Sequence, residues 1–140
     1  MIVDFHTPIY PPELREQRET YLSRDRTFGE LFSDPKAKMA TAEDLIAAMD
    51  MDGVDQSVVM GIGWTDQGMA REANDYLIDA THRYPGRLTG FAGVNPAWGS
   101  EASAREAERC TRAGLWGIGE LHPSSQGFDL GNESVMTPLM

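Results

Sequence analysis

The sequence predicts an α/β fold with a parallel sheet. Four apolar segments alternate with three helical patterns, and several of the apolar segments are continuous runs. Runs such as "SVVMGIG" and "LWGIGEL" are typical of parallel strands that are covered on both faces. The order strand, helix, strand, helix, strand, helix, strand indicates repeated βαβ units.

The predicted strands cover residues 1–6, 56–63, 87–95 and 115–121. Thr41 and Asp44 resemble a capping box at the start of the first helix, and Gly53 ends that helix. A second helix is predicted over residues 68–84 and a third over residues 100–114.

The first strand-to-helix connection is long and covers residues 7–40. Connections of this type carry the sites of α/β barrels and of open α/β sheets. Such length is unusual unless the segment is a lid, an insertion or disordered. We expect a folded, partly helical lid that begins at Pro11 or Pro12. Lys36 or Lys38 in the lid would contact an anionic substrate, or both would simply be solvated.

Residues 1–140 are predicted to form a single domain. Three and a half βα units correspond to the first half of an eight-stranded TIM barrel. A half-barrel leaves the edges of its first and fourth strands unpaired. We therefore expect the front half of a longer protein that is truncated before its fifth strand, or a homo-oligomer in which a partner covers the open edges.

Composition and charge exclude several classes of partner. The chain carries 12 basic and 22 acidic residues, and its net charge of −10 argues against a nucleic acid or an anionic membrane. Cys110 is the only cysteine, which excludes an internal disulfide and favours a reducing, cytoplasmic compartment. We expect no signal peptide, because Asp4 and His6 interrupt the N-terminal apolar run. No apolar run approaches the ~20 residues that span a bilayer.

Ionisable residues lie at the ends of the first and fourth predicted strands. Residues two apart on a strand share a face, so Asp4, His6 and Pro8 would lie on one face of the first strand. Glu120 and His122 would share a face of the fourth. In a barrel, His6, Glu120 and His122 would then converge at the mouth. Imidazole and carboxylate groups are usual ligands of a catalytic zinc or a similar divalent ion. Asp4 would orient a ligand through a hydrogen bond.

Structural interpretations of the same residues stay open. A histidine at a strand end, such as His6, is more often a hydrogen-bonded structural residue than a ligand. His122 precedes Pro123 and is consistent with the start of a loop. An unpaired carboxylate at Glu120 would be costly, which favours a functional role for it. His82, within the second helix, is expected on the surface or in packing.

The tryptophans and the paired glycines also have packing interpretations. Three tryptophans are expected to anchor the core or the loops: Trp64, Trp98 and Trp116. Two glycine pairs end strands and would permit close approach of a ligand or tight helix packing: Gly61 with Gly63, and Gly117 with Gly119. The first pair does not continue as a dinucleotide fingerprint, because the next glycine is Gly68.

Four segments carry a family resemblance: "IVDFHTPIYPPEL", "ATAEDLIAAMDMDGVDQSVVMGIGW", "REANDYLIDATHRYPGRLTGFAGVNP" and "GLWGIGELHPSSQGFDL". Together they resemble the amino-terminal half of the amidohydrolase-2 type of metal-dependent hydrolases. The relatives of these hydrolases include the aminocarboxymuconate-semialdehyde decarboxylase group. The resemblance covers essentially the whole chain, in order and without large gaps.

This resemblance implies a longer (β/α)8 barrel with one divalent metal ion, often zinc, at its C-terminal mouth. The family's first strand usually supplies two histidine ligands with one residue between them. His6 matches the first of them, whereas Pro8 stands at the second and has no donor atom. Glu120 matches a fourth-strand ligand of some relatives. The remaining ligands, and a late aspartate that shuttles protons, usually come from the fifth strand onward.

The resemblance implies a metal-dependent hydrolase that acts on an amide or ester-like carbonyl of a small molecule. His6 and Glu120 would bind the metal, Asp4 would support a ligand, and His122 would contact substrate. The full-length parent would be the enzyme, and the 140-residue chain alone is expected to be inactive. A decarboxylase of the same family is the first alternative. The second is a non-catalytic half-barrel that dimerises or acts as an interaction module.

Overall fold

The computed structural model describes residues 1–140 and confirms the parallel α/β architecture. Four strands form a sheet in the order β1-β2-β3-β4, and all three neighbouring pairs are parallel. The strands are β1 (Val3–Pro8), β2 (Gln56–Met60), β3 (Leu88–Ala92) and β4 (Gly117–Ile118). Sequential strand order with helical crossovers is the arrangement found in part of a TIM barrel.

Helices fill all the connections between strands. They are α1 (Pro12–Glu16), α2 (Arg18–Tyr21), α3 (Arg26–Phe32), α4 (Ala42–Asp52), α5 (Gln67–Arg83), α6 (Ser100–Arg112), α7 (Pro123–Gln126) and α8 (Glu133–Met136). Short 3₁₀ turns follow β3 at Pro96–Trp98 and end the chain at Thr137–Leu139. None of the helices is both long and apolar enough to cross a bilayer.

The predicted capping box at the start of α4 is confirmed. The Thr41 side chain accepts a hydrogen bond from the Asp44 N–H, and the Asp44 carboxylate accepts one from the Thr41 N–H. Gly53 ends the helix at φ 71°, a left-handed conformation in which a side chain would be strained. These local signals fix both ends of α4.

Two apolar clusters hold the sheet and its connections together. One lies between the strands and the long helices, and it includes Val59, Leu77, Leu88, Cys110 and Leu115. The other lies beneath the lid, and it includes Tyr10, Phe28, Phe32, Trp64 and Met69. The predicted lid over residues 7–40 is therefore partly helical, and it shares this apolar cluster with α5 and the loop after β2.

The first strand departs from the predicted alternation. Asp4 pairs with Ser57 and Thr7 pairs with Val59, so β1 contains one extra residue between these two pairs. Strand β1 also extends through Pro8, which lies at the sheet edge where a missing N–H is tolerated. The prediction that Asp4 and Pro8 share a face is wrong, because a bulge reverses the alternation between them.

Strand β4 is much shorter than predicted. It covers only Gly117–Ile118, whereas the apolar pattern indicated residues 115–121. Glu120 and His122 therefore lie in the loop after β4. The glycines of this segment have a packing role, since a Cβ on Gly117 would lie 3.0 Å from the Phe91 ring.

The two outer strands leave apolar side chains exposed at the edges of the sheet. Phe5 in β1 is 72% exposed, and Trp116 beside β4 is 83% exposed. The expectation that Trp116 anchors the core is wrong, because no further strand covers it at this edge. Trp64 is fully buried and Trp98 is partly buried, as expected for anchors.

Candidate metal site at the strand ends

Three predicted site residues come together at the carboxyl end of the sheet. His6 Nε2 lies 3.3 Å from Glu120 Oε2, and His122 Nε2 lies 3.1 Å from Glu120 Oε1. One carboxylate is thus flanked by two imidazoles that the chain separates by more than a hundred residues. All four parallel strands end on this side of the sheet. Because β1 and β4 are the outer strands, the contacts of His6 and His122 with Glu120 require the sheet to curve.

The imidazole of His122 is available for an additional ligand. Its Nε2 atom is buried and has no hydrogen-bond partner, although the Glu120 carboxylate lies nearby. The short distance is therefore a close contact without hydrogen-bond geometry. A buried nitrogen without a partner is costly in a polar site unless a proton donor or a metal ion satisfies it.

The three side chains fit part of a divalent-metal site. Donors about 2.1 Å from one metal ion lie about 3 Å from each other, which matches both contacts with Glu120. Imidazole and carboxylate groups suit zinc, manganese and iron. However, no three histidine, cysteine or acidic side chains of the chain form a compact cation site. The two histidines contact opposite oxygens of the carboxylate, and Pro8 offers no donor.

Asp4 contacts His6 differently from the prediction. Its carboxylate accepts a hydrogen bond of 3.1 Å from the main-chain N–H of His6, and no hydrogen bond joins it to the imidazole. Asp4 is exposed, and its contact lies within the bulged part of β1. It therefore supports the backbone at His6.

Gln126 is a residue of this site that the sequence did not reveal. It is 4% exposed, and its Oε1 atom accepts a hydrogen bond of 2.8 Å from the His122 N–H. Its Nε2 atom donates to the carbonyls of Trp64 and Val94, each at 3.0 Å. A glutamine in the polar stretch "HPSSQG" gives no sequence signal for this role.

Gly63 gives the His122 loop room to approach the sheet. A Cβ atom at Gly63 would lie 2.8 Å from both the Cβ and the main-chain nitrogen of His122, and 2.9 Å from Gln126 Cδ. Neither of the two interpretations of the Gly61–Gly63 pair, approach of a ligand or tight helix packing, describes Gly63. The group that approaches is another loop of the same chain.

Tyr10 is a second residue beside this site that carries no signal in the sequence. It is 4% exposed and its ring packs edge to face on Phe32, with ring centroids 5.2 Å apart. Burial, together with the negative charge of Glu120, raises the pKa of the Tyr10 phenol well above its usual value. Tyr10 therefore stays protonated beside the site and can act as a hydrogen-bond donor.

Buried polar contacts fix the lid in place. Asp25 is 1% exposed and accepts hydrogen bonds from the main-chain N–H groups of Phe28, Thr65 and Asp66, at 2.9, 2.6 and 2.7 Å. At the other side, Ser125 Oγ donates to Glu30 Oε2 at 2.6 Å. The lid is thus attached to the loops after β2 and β4. The side chains of Lys36 and Lys38 are exposed, which agrees with the solvated alternative.

The comparison with protein families decides the class of the chain. The amidohydrolase family model matches residues 3–140. The chain belongs to the amidohydrolase-2 family. This membership confirms the family resemblance of the four sequence segments. A search of curated proteins finds no match for the chain.

Solved structures of this amidohydrolase family agree in fold. A 5-carboxyvanillate decarboxylase from Novosphingobium aromaticivorans, complexed with manganese and a nitrobenzoic acid, is 24% identical with a TM-score of 0.78. The match covers 99% of this chain and 46% of that enzyme. A variant of the same enzyme, also with bound manganese, is 25% identical with a TM-score of 0.77 and the same coverage.

Two other enzymes are less similar. A dihydroxybenzoic acid decarboxylase from a Polaromonas species, with bound manganese and 2-nitroresorcinol, is 23% identical, with a TM-score of 0.55. The match covers 84% of this chain and 37% of that enzyme. A 4-oxalomesaconate hydratase from Rhodopseudomonas palustris is 19% identical, with a TM-score of 0.65. The match covers 99% of this chain and 47% of that enzyme. The chain thus spans less than half the length of these structures.

Proposed function

We propose that the chain is the amino-terminal part of a metal-dependent decarboxylase, a carboxy-lyase for a small aromatic or unsaturated carboxylic acid. The observation that carries this proposal is the Glu120 carboxylate between the His6 and His122 imidazoles, at the mouth of an amidohydrolase-2 sheet. The likeness to a manganese-containing 5-carboxyvanillate decarboxylase at 25% identity supports the choice of reaction. On this proposal the four strands form the first half of an eight-stranded barrel.

His6, Glu120 and His122 would hold the divalent ion. The manganese in two of the similar decarboxylases favours manganese over the zinc that the family resemblance implied. A bound divalent ion would supply Lewis-acid polarisation of a substrate oxygen and would orient the substrate. The unpartnered Nε2 atom of His122 is the feature of this chain that most directly needs such an ion.

The other residues of the site would bind and orient the substrate. Tyr10 keeps its proton beside Glu120 and would donate a hydrogen bond to an anionic substrate oxygen. The aromatic cluster beneath the lid, with Phe28, Phe32 and Trp64, would exclude water from that side. A planar acid with a carboxylate and a neighbouring oxygen fits these groups.

Hydrolysis of an amide or ester, the reaction first expected from the sequence, remains the second candidate. Family membership supports it, because the family model describes amidohydrolases. The decarboxylases among the similar structures make loss of carbon dioxide the stronger proposal. A non-catalytic half-barrel is the third, and the exposed Phe5 and Trp116 side chains favour it.

Metal binding tests the site before any activity is assayed. We expect the chain to bind Mn²⁺, measured as loss of the free-ion signal in electron paramagnetic resonance. His6→Ala removes a donor, and Glu120→Gln replaces a charged carboxylate by a neutral amide, so each should weaken binding at least about tenfold. His82→Ala is the matched control, because His82 is exposed on α5 and away from the site. If the wild type takes up neither Mn²⁺ nor Zn²⁺, the proposal that residues 1–140 hold the ion is lost.

The reaction is then tested on the protein encoded by the natural reading frame that contains this chain. Release of carbon dioxide from 5-carboxyvanillate and from 2,6-dihydroxybenzoate is compared with hydrolysis of benzamide and phenyl acetate. We expect carbon dioxide release that Glu120→Gln abolishes. Hydrolysis alone would establish the second candidate in place of the first.

A further inference from the structure

A second candidate site lies on the helical side of the sheet. A groove of about 490 Å³ runs between α5 and α6, and it shares no residue with the cluster of His6, Glu120 and His122. Its lining includes Gln67, Arg71, Trp98, Arg105, Glu106 and Arg109. Three arginines line this groove in a chain whose net charge is −10, and a single carboxylate lines it beside them.

The one carboxylate in the groove lining is already neutralised. Arg109 donates to both oxygens of Glu106, at 2.7 and 2.9 Å, and Asn74 Nδ2 donates to Oε1 at 2.9 Å. Burial alone would raise the pKa of Glu106, but these hydrogen bonds outweigh it and hold the pKa below its usual value. Arg109 also donates to Asp75 at 2.6 Å. The charges of Glu106 and Arg109 are therefore already paired within the protein, and neither side chain needs a ligand.

The other two arginines are free to bind a ligand. Arg71 is exposed and makes no hydrogen bond or ion pair through its side chain. Arg105 pairs only with Glu101, one turn away on α6, and both side chains are more than two-thirds exposed. Exposed pairs of this kind are weak, so a ligand could replace Glu101 at little cost. Two guanidinium groups thus face the groove with their donors almost unused.

We propose that this groove binds a small oxyanion, a ligand that carries a carboxylate or a phosphate group. The guanidinium fork matches both groups through paired hydrogen bonds. Trp98 and Ala102 supply the apolar part of the lining. The indole N–H of Trp98 donates to the Thr65 carbonyl at 2.8 Å, which holds the ring in place. The groove volume lies within the range of small-molecule sites. The site is independent of the proposed metal centre.

Calorimetric titration with benzoate and with inorganic phosphate tests the proposal. We expect saturable binding of at least one probe, and the better probe identifies the anionic group. Arg71→Gln and Arg105→Gln should each weaken binding about fivefold or more. Arg112→Gln is the matched control, since Arg112 is an exposed arginine of α6 that does not line the groove.

Tryptophan fluorescence gives a second readout for the groove. The probe that binds should change the tryptophan fluorescence of the wild type, and this change should disappear in Trp98→Phe. Cooperative unfolding of Trp98→Phe would show that the variant is folded. Two results would overturn the proposal: no saturable binding of either probe to the wild type, or equal weakening in Arg112→Gln. Equal weakening would mean that binding depends on the net charge of the protein and not on the arginines of the groove. Neither result depends on metal uptake, so the test is separate from that of the decarboxylase.

Discussion

The main-chain N–H of His122 donates a hydrogen bond of 2.8 Å to the buried amide of Gln126, four residues later. The same amide donates to Trp64 and to Val94, so one side chain joins the loops after β2, β3 and β4. A buried amide with all its polar atoms satisfied fixes its surroundings in one arrangement. The position of His122 beside Glu120 therefore depends on a residue that contacts neither imidazole nor carboxylate.

Gln126→Ala should destabilise the chain and weaken metal binding. The change leaves two buried carbonyls and one N–H without a partner, so we expect a loss of about 2–3 kcal/mol in the free energy of unfolding. Urea denaturation measures this loss, and Mn²⁺ titration measures the effect on the site. Ser124→Ala is the control, since Ser124 is exposed in the same helix. Unchanged Mn²⁺ affinity in a folded Gln126→Ala variant would contradict a positioning role.

Gly63→Ala should displace the His122 loop. The new methyl group would lie 2.8 Å from His122, closer than a Cβ atom tolerates. We expect weaker Mn²⁺ binding and a loss of about 1–3 kcal/mol in unfolding free energy. Gly131→Ala is the matched control, because its Cβ would meet Asp129 only at ordinary contact distance. Equal effects of the two substitutions would contradict the steric argument.

Asp25→Ala should release the lid from the loop after β2. Three main-chain N–H groups lose their common acceptor, and we expect a loss of about 3 kcal/mol or more in unfolding free energy. Limited proteolysis should then cut within residues 7–40 before the rest of the chain. Asp129→Ala removes an exposed aspartate that accepts a single local hydrogen bond, so it should be nearly neutral. A lid that stays protease-resistant in Asp25→Ala would count against this anchor.

Cys110 should be inert in the folded protein. It is fully buried, and burial together with the charge of Glu106 raises the pKa of its thiol to about 12. The thiolate is the reactive form, so Ellman's reagent should react with Cys110 only when the chain unfolds. The reaction rate in increasing urea should follow the unfolding curve. Fast stoichiometric reaction in buffer would show that α6 opens locally.

Glu106 should make the stability of the chain sensitive to acid. Its folded-state pKa lies below the usual value of 4.5, because hydrogen bonds from Arg109 and Asn74 outweigh the cost of burial. The unfolded chain therefore binds a proton at higher pH than the folded chain. This contribution to stability is complete above pH 4.5 and is lost as the pH falls through the lowered pKa.

The variant Glu106→Gln tests this pH dependence. Its unfolding free energy, measured by urea denaturation from about pH 3 to pH 7, should fall less steeply with acid than that of the wild type. Glu133→Gln, at an exposed position of the C-terminal helix, is the control and should keep the wild-type slope. Parallel curves for wild type and Glu106→Gln would contradict the assignment.

Local patterns in the sequence predicted the architecture well. Continuous apolar runs predicted the parallel strands. Thr41, Asp44 and Gly53 predicted the two ends of α4, because helix caps depend on nearby residues. Strict alternation failed at β1, since one extra residue between Asp4 and Thr7 is set by pairing with β2. The length of β4 was overestimated for a similar reason: a strand ends where its neighbour stops pairing.

The sequence by itself predicted the parallel α/β fold class from its local patterns, and its resemblance to known sequences indicated the family. The convergence of His6, Glu120 and His122 was predicted only on the assumption of a barrel. Only the tertiary structure decided which residues hold His122 beside Glu120. Gln126 holds His122 through hydrogen bonds to the distant carbonyls of Trp64 and Val94, and Gly63 admits the His122 loop from far away in the chain. The pKa of Tyr10 is raised by burial and by the charge of Glu120, and both arise only in the folded chain. Spacing along one chain carries no signal for such contacts, since they exist only once three strand ends meet.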